Sequence, residues 1–184
     1  MNLETTASLR PTIRELPLPN FEPAGNRVSA LTAKAGARAN TIETDAEIWK
    51  AFDPRTVGDV PPSNKYKAIW DTGATHSVIS RKVIDECGLL PIGMARVHTA
   101  SDTVDSEVFL VNIALPGNVM LPGIRVTEGV IFGHCEVLIG MDIINQGDFA
   151  FTNKDGKSTF SFRLPSLEEI DFVKEAESQK KNPS

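Results

Sequence analysis

The residues most able to do chemistry in this sequence lie in one short stretch, AIWDTGAT, at residues 68–75. Asp71 directly follows an apolar segment, and a small hydroxyl residue, a glycine and an alanine come after it. A carboxylate at the end of a strand, backed by apolar walls, can act as a general acid or base. Gly73 has no side chain, so the backbone there can approach a ligand or another chain closely. The structural alternative is that Asp71 caps its own loop at an ordinary strand-to-turn junction.

A second stretch, VLIGMDII at residues 137–144, has a related layout: an apolar strand, a glycine and the start of a short helix. Together the two stretches resemble the retropepsin-like aspartic proteases, single-domain relatives of pepsin found in retroviruses, bacteria and eukaryotes, and most closely the bacterial branch. The resemblance covers roughly residues 65–163. It implies that Asp71 is the catalytic residue and that the second signature, Ile139 and Gly140, supports the active-site loop.

The chemistry of this family requires two carboxylates, one acting as the base toward water and one, protonated, polarising the scissile carbonyl. Two such groups about 3 Å apart share one proton. The chain carries a single Asp-Thr-Gly motif, so we expect two chains related by a two-fold axis to contribute one Asp71 each. The resemblance therefore implies a homodimeric aspartic endopeptidase that uses an activated water and no cofactor. A catalytically silent module for dimerisation or peptide binding is the alternative.

The resemblance also implies roles for the neighbours of Asp71. Thr72 hydrogen-bonds across the dimer axis, and Gly73 permits the close approach of the two loops. Ala74 stands where many acid-acting relatives have serine or threonine. Because alanine has no hydroxyl to favour the charged carboxylate, we expect activity nearer neutral pH than in pepsin-like enzymes.

A predicted hairpin from about Met94 to Leu115 is the candidate flap, which in this family closes over the peptide and excludes water. Its tip is predicted at Ala100, Ser101, Asp102 and Thr103. Retroviral flap tips are rich in glycine, whereas no glycine lies between Met94 and Pro116. An ordinary surface hairpin is the alternative.

The other groups with chemical potential form no recognised pattern. The histidines are scattered: His76, His98 and His134. Because they lack the paired spacing of a zinc site, we expect no metal. Asp142 is interpreted as a cap of the short helix rather than as a second carboxylate. Cys87 and Cys135 are interpreted as inert thiols rather than as partners of a catalytic histidine.

The elements that must position these residues are mostly short strands. Strands are predicted at residues 27–33, 42–52, 66–70, 77–79, 94–100, 107–115, 124–128, 135–139, 149–152 and 158–163. Ser80 is predicted to cap a short helix that stops at Gly88, and a second short helix is predicted at residues 142–146. Asn153–Gly156 is a predicted hairpin turn. This pattern indicates an all-β fold, a small closed barrel with one or two short helices.

The chain divides into three predicted parts. Residues 1–26 contain four prolines and are predicted to be a flexible arm. A further hypothesis is that residues 1–40 are a pro-segment removed by self-cleavage. Residues 27–165 form the predicted protease domain, best supported over 65–163. Residues 166–184 are predicted to be a short helix, begun by a capping box of Ser166 and Glu169, and a polar tail.

Composition excludes several functions. The 184 residues carry a net charge of −5, which argues against a nucleic-acid partner. No apolar run approaches the ~20 residues that cross a bilayer, and the N-terminal residues lack a signal-peptide pattern. Two cysteines are too few for a disulfide scaffold, so we expect a reducing, cytoplasmic location.

Overall fold

The structure is a computed structural model and describes residues 28–53, 63–98 and 103–181. The strands are β1 (Ser29–Lys34), β2 (Ile42–Lys50), β3 (Asn64–Trp70), β4 (Val78–Ile79), β5 (Gly93–His98), β6 (Thr103–Leu115), β7 (Val119–Glu128), β8 (Val137–Ile139), β9 (Asp148–Thr152) and β10 (Thr159–Leu164). The helices are α1 (Arg81–Glu86), α2 (Met141–Ile144) and α3 (Phe172–Lys181). The predicted arm at residues 1–26 lies outside the described residues, as do Ala100, Ser101 and Asp102 of the predicted flap tip.

Six strands close a barrel in the order β2-β3-β8-β4-β7-β6, and β6 pairs back onto β2. The pairs β3–β8 and β4–β7 are parallel, and the other neighbours in the ring are antiparallel. Strand β5 extends the barrel outward as the antiparallel partner of β6. The predicted all-β class, a small closed barrel with few short helices, is confirmed.

The barrel interior is filled by apolar side chains that alternate along the strands. In β2 the even-numbered residues from Thr44 to Ile48 are buried, and in β3 the same holds from Tyr66 to Trp70. Side chains of this kind stabilise the fold by roughly 1.5–3 kcal/mol each when fully buried. The largest of the fully buried ones are Ile48, Ile79, Phe109, Ile113, Leu121, Ile139, Ile143 and Phe162.

A second, three-stranded antiparallel sheet has the order β1-β10-β9. It is joined to the barrel through Trp70, the last residue of β3, whose ring centroid lies 4.8 Å from that of Phe160 and 4.9 Å from that of Phe162. The indole N–H of Trp70 donates to the Thr44 hydroxyl at 3.0 Å. Strand β3 is therefore held firmly at the end from which Asp71 emerges.

Three short helices are predicted from the sequence. Two of them, α1 and α2, begin within one residue of their predicted starts, and the predicted start of the third is wrong. The Ser80 hydroxyl caps α1 by accepting the N–H of Val83 at 3.4 Å, as predicted. Helix α2 begins one residue earlier than predicted, with Gly140 at the N-cap.

The predicted capping box at Ser166 does not form. Its hydroxyl instead donates to Oδ1 of Asp148 at 2.6 Å, because the chain folds back onto the start of β9. Helix α3 begins at Phe172, where the Asp171 carboxylate accepts the N–H groups of Val173 and Lys174 at 3.0 and 3.1 Å.

The predicted hairpin turn between β9 and β10 is present, with positive φ at Asp155 (52°) and Gly156 (73°). Among the described residues, no helix combines the length and the apolar character that crossing a bilayer requires.

Candidate active site

The two sequence stretches meet because β3 and β8 run side by side and parallel. Their register places Trp70 opposite Ile139, so Asp71 and Gly140 leave the sheet together at the same end. The N–H of Asp71 donates to the carbonyl oxygen of Ile139 at 2.9 Å. The position of Asp71 is thus set by the second stretch as well as by its own strand.

The loop after β3 turns sharply around the Asp71 carboxylate. The N–H of Gly73 donates to Oδ1 of Asp71 at 2.8 Å, and the N–H of Ala74 donates to the Asp71 carbonyl oxygen at 3.3 Å. A Cβ at position 73 would lie 3.1 Å from the same carboxylate oxygen. Asp71, Thr72 and Gly73 are all exposed, so they are accessible to a substrate or to a second chain. The structure therefore contains the local cap expected of the structural alternative and also presents the carboxylate at the surface.

Gly140 lies directly under this loop. A Cβ there would lie 2.6 Å from the carbonyl carbon and 2.7 Å from the carbonyl oxygen of His76, so only glycine fits without moving the loop. The first N–H groups of α2 also point at the loop. Met141 donates to the Ala74 carbonyl at 2.8 Å and Asp142 donates to the Thr75 carbonyl at 3.2 Å. These bonds satisfy donors that a helix leaves unpaired at its N-terminus, and they support the loop from below.

Ser77 completes this support, and sequence analysis missed it. Its side chain is fully buried; the hydroxyl donates to Oδ1 of Asp142 at 2.8 Å and accepts the N–H of Gly140 at 3.0 Å. The N–H of Ser77 donates to the other carboxylate oxygen of Asp142 at 3.1 Å. Asp142 is therefore not the N-cap of α2 but a link between α2 and the residues after the motif. The only local signal was a small hydroxyl residue at the start of a short strand, which is too common to be diagnostic.

Other predicted residues lie outside this arrangement. Ile79, on β4 after the motif, is fully buried in the core and does not line the surface around Asp71. Thr103 begins β6 and pairs with His98 at the end of the predicted flap hairpin. His134 contacts Glu43 at 3.0 Å rather than the Asp71 loop. Burial and the nearby Glu43 carboxylate raise the pKa of the Cys135 thiol.

A surface cavity of about 310 Å³ opens beside Asp71. Its lining includes the apolar side chains of Ile42, Ile69, Leu138 and Phe151. A carboxyl group beside an apolar surface is suited to act on the backbone of a peptide whose apolar side chains contact that surface.

Residues 63–146 match the family described as gag-polyprotein putative aspartyl protease. The matched segment contains both the Asp71 motif and the second signature at Ile139 and Gly140. This match confirms the resemblance to the retropepsin-like aspartic proteases. A comparison with curated proteins finds no match.

Solved structures similar to this chain include a retropepsin-like aspartic protease from Rickettsia conorii, with 13% identity and a TM-score of 0.46, covering 74% of this chain and 95% of that one. The retroviral protease-like domain of Ddi1 from Leishmania major has 17% identity and a TM-score of 0.41, covering 73% and 99%. The protease of simian foamy virus (mac) has 18% identity and a TM-score of 0.37, covering 56% and 92%.

Proposed function

We propose that this chain, retropepsin-like over residues 63–146, is an aspartic endopeptidase that works as a homodimer. The observation that carries the proposal is the exposed Asp71 carboxylate on a loop braced by Gly140, Ser77 and Asp142. A surface aspartate in an ordinary turn has no need of such bracing. General acid and base catalysis does need it, because a misplaced carboxylate loses its hydrogen-bond geometry to the reacting atoms.

In the proposed mechanism, the Asp71 carboxyls of two chains lie together and share one proton. The ionised carboxylate takes a proton from a water molecule, which attacks the carbonyl carbon of the peptide. The protonated carboxyl donates to the carbonyl oxygen. Collapse of the tetrahedral intermediate passes a proton to the leaving nitrogen and breaks the C–N bond, with no covalent intermediate. Thr72 hydrogen-bonds across the dimer axis and holds the two loops together.

We propose that the hairpin of β5 and β6 covers the bound substrate. The two strands pair from Gly93↔Val108 to His98↔Thr103. We propose that the tip of this hairpin, Ala100 to Thr103, closes over a bound peptide. Because this tip has no glycine, we expect closure to be slower than in glycine-rich flaps.

The pH dependence follows from Ala74. A hydroxyl at this position would donate to the carboxylate and favour its charged form, and alanine cannot. We therefore propose that cleavage is fastest nearer neutral pH than in pepsin-like enzymes. A pH–rate profile with its maximum at strongly acidic pH would refute this part of the proposal.

The decisive experiment is the variant Asp71→Asn. We expect it to lose cleavage of a peptide library completely while keeping the native circular dichroism and the dimer mass of the wild type. Asp155→Asn, an exposed aspartate in the β9–β10 turn, is the matched control and should cleave normally. A pepstatin-type inhibitor should block the wild type.

The second candidate is a silent module for dimerisation or peptide binding, favoured by the absence of glycine from the tip of the flap hairpin. It becomes the better description if the wild type cleaves nothing across a broad pH range yet dimerises. The intact mass of the purified chain tests whether residues 1–40 are removed by self-cleavage. A cytoplasmic location belongs to the proposal because both cysteines are free thiols.

A further inference from the structure

We propose that Glu43, His134 and Cys135 form a binding site for a zinc-like divalent cation on the barrel, separate from the Asp71 loop. Glu43 lies on β2, whereas His134 and Cys135 directly precede β8, so the fold brings them together from two distant parts of the chain. Their ligand atoms all lie within 4.8 Å of one another. Carboxylate oxygen, imidazole nitrogen and thiolate sulfur are the ordinary protein ligands of zinc.

The spacing of these atoms suits one shared ion. Nε2 of His134 lies 3.0 Å from Oε2 of Glu43. Two ligands on a tetrahedral zinc at about 2.0–2.2 Å from the ion are about 3.4 Å apart, so this pair needs to open only slightly. The Cys135 sulfur lies within 4.8 Å of both, and tetrahedral zinc places sulfur about 3.6 Å from its other ligands, so the sulfur has to approach by about 1.2 Å at most to complete three ligands. A water molecule can supply the fourth.

The surroundings of the cluster favour a metal over a simple contact. The Thr41 hydroxyl donates to Oε1 of Glu43 at 3.2 Å, which directs Oε2 toward His134 in the way that outer groups orient metal ligands. Cys135 is buried, whereas the His134 side chain is 68% exposed, so an ion can enter from solvent. The nearby Lys67 ammonium is bound to Asp45 at 2.5 Å, which offsets a positive charge that would otherwise oppose a cation.

Binding would tie β2 to the entry of β8, the strand that ends in Ile139 before Gly140. Because a ligand that binds only the folded state stabilises it, zinc should raise the melting temperature of the wild type in a concentration-dependent manner. This inference does not depend on the proposed protease activity, and its tests do not measure cleavage.

The first test is titration of the metal-free, full-length protein with Co²⁺. Co²⁺ bound to a thiolate gives an intense near-ultraviolet charge-transfer band, which we expect to saturate and to disappear when Zn²⁺ is added. Cys135→Ser should lose the band, and the matched control Cys87→Ser should keep it. Absence of the band in the wild type, or its persistence in Cys135→Ser, overturns the proposal.

The second test uses the other two ligands, and His134 is exposed enough that its replacement leaves the core intact. His134→Asn and Glu43→Gln should each weaken Zn²⁺ binding, measured by calorimetry, by about tenfold or more. Glu47→Gln, on the same face of β2, is the matched control and should bind as the wild type does. Unchanged Zn²⁺ affinity in His134→Asn would show that the contact between Glu43 and His134 is a hydrogen bond only and would overturn the proposal.

Discussion

At the scale of single residues, the Asp71 loop depends on close contacts that tolerate no added atoms. Gly140 packs against the backbone of His76, and its N–H donates to the Ser77 hydroxyl. Backbone atoms cannot rotate away from a new methyl group as a flexible side chain can, so a larger residue has to displace the loop itself. The geometry around Asp71 is therefore as sensitive to position 140 as to its own neighbours.

The variant Gly140→Ala tests this dependence. We expect it to lower the free energy of unfolding by about 1–3 kcal/mol, because an added methyl group forces backbone shifts in a well-packed site. Peptide cleavage should fall more steeply than stability, since the displaced loop carries Asp71. Urea denaturation and peptide hydrolysis are the measurements.

Gly36→Ala is the matched control, because no atom lies within 4 Å of a Cβ built there. It should change stability by no more than about 0.5 kcal/mol. A Gly140→Ala protein as stable and as active as the wild type would contradict the bracing role assigned to this glycine.

At the scale of elements, a polar cluster pins the second sheet to the chain that follows it. Asp148, the first residue of β9, is paired in register with Arg163 on β10 and forms an ion pair with it. Its carboxylate also accepts the Ser166 hydroxyl at 2.6 Å and the Leu167 N–H at 2.9 Å. These hydrogen bonds hold the pKa of Asp148 well below its usual range. The bond from Ser166 has the largest effect, followed by those from Leu167 and Arg163.

This lowered pKa predicts a pH-dependent contribution to stability. Unfolded Asp148 titrates near its ordinary value of about 3.9, so the contribution is fully present at neutral pH. As the pH falls below that value, the unfolded state takes up the proton first and the contribution is lost. Asp148→Asn should therefore be less stable than the wild type at neutral pH, and the difference should shrink in acid.

Urea midpoints of the wild type and Asp148→Asn, measured at neutral pH and near pH 3, check this expectation. Asp155→Asn in the turn of the same hairpin is the matched control. A stability difference of equal size at both pH values would show that the cluster acts through packing rather than through the charge of Asp148.

At the scale of the whole molecule, the proposed activity belongs to two chains rather than one. Each chain contributes a single Asp71, so a dimer with one Asp71→Asn chain lacks half of the proposed acid–base pair. Mixing wild type with Asp71→Asn should therefore inhibit the wild type. With random pairing, activity per wild-type chain should fall in proportion to the wild-type fraction.

Cleavage measured across a series of such mixtures at constant total protein is the test, with Asp155→Asn as the diluting chain in the control series. Activity per wild-type chain that does not change with added Asp71→Asn, while the chains demonstrably exchange, would show that one chain is sufficient. The paired-aspartate mechanism would then be wrong even if the protein is a protease.

Local pattern was sufficient to predict most of the elements. The strands β2 and β3, the Ser80 cap of α1 and the β9–β10 turn each depend on residues close together in the sequence, and each is present in the structure. The family resemblance, and with it Asp71 and Gly140, also came from the sequence because those motifs are contiguous.

Strand pairing across long stretches of chain decided the rest. Ser77 reaches Asp142 only because β4 pairs with β8, and Ser166 reaches Asp148 only because the chain folds back after β10. The proposed cation site also depends on strand pairing. Glu43 meets His134 and Cys135 because β2 and β8 both pair with β3, and no sequence motif records that pairing. Contacts between distant residues depend on which strands become neighbours.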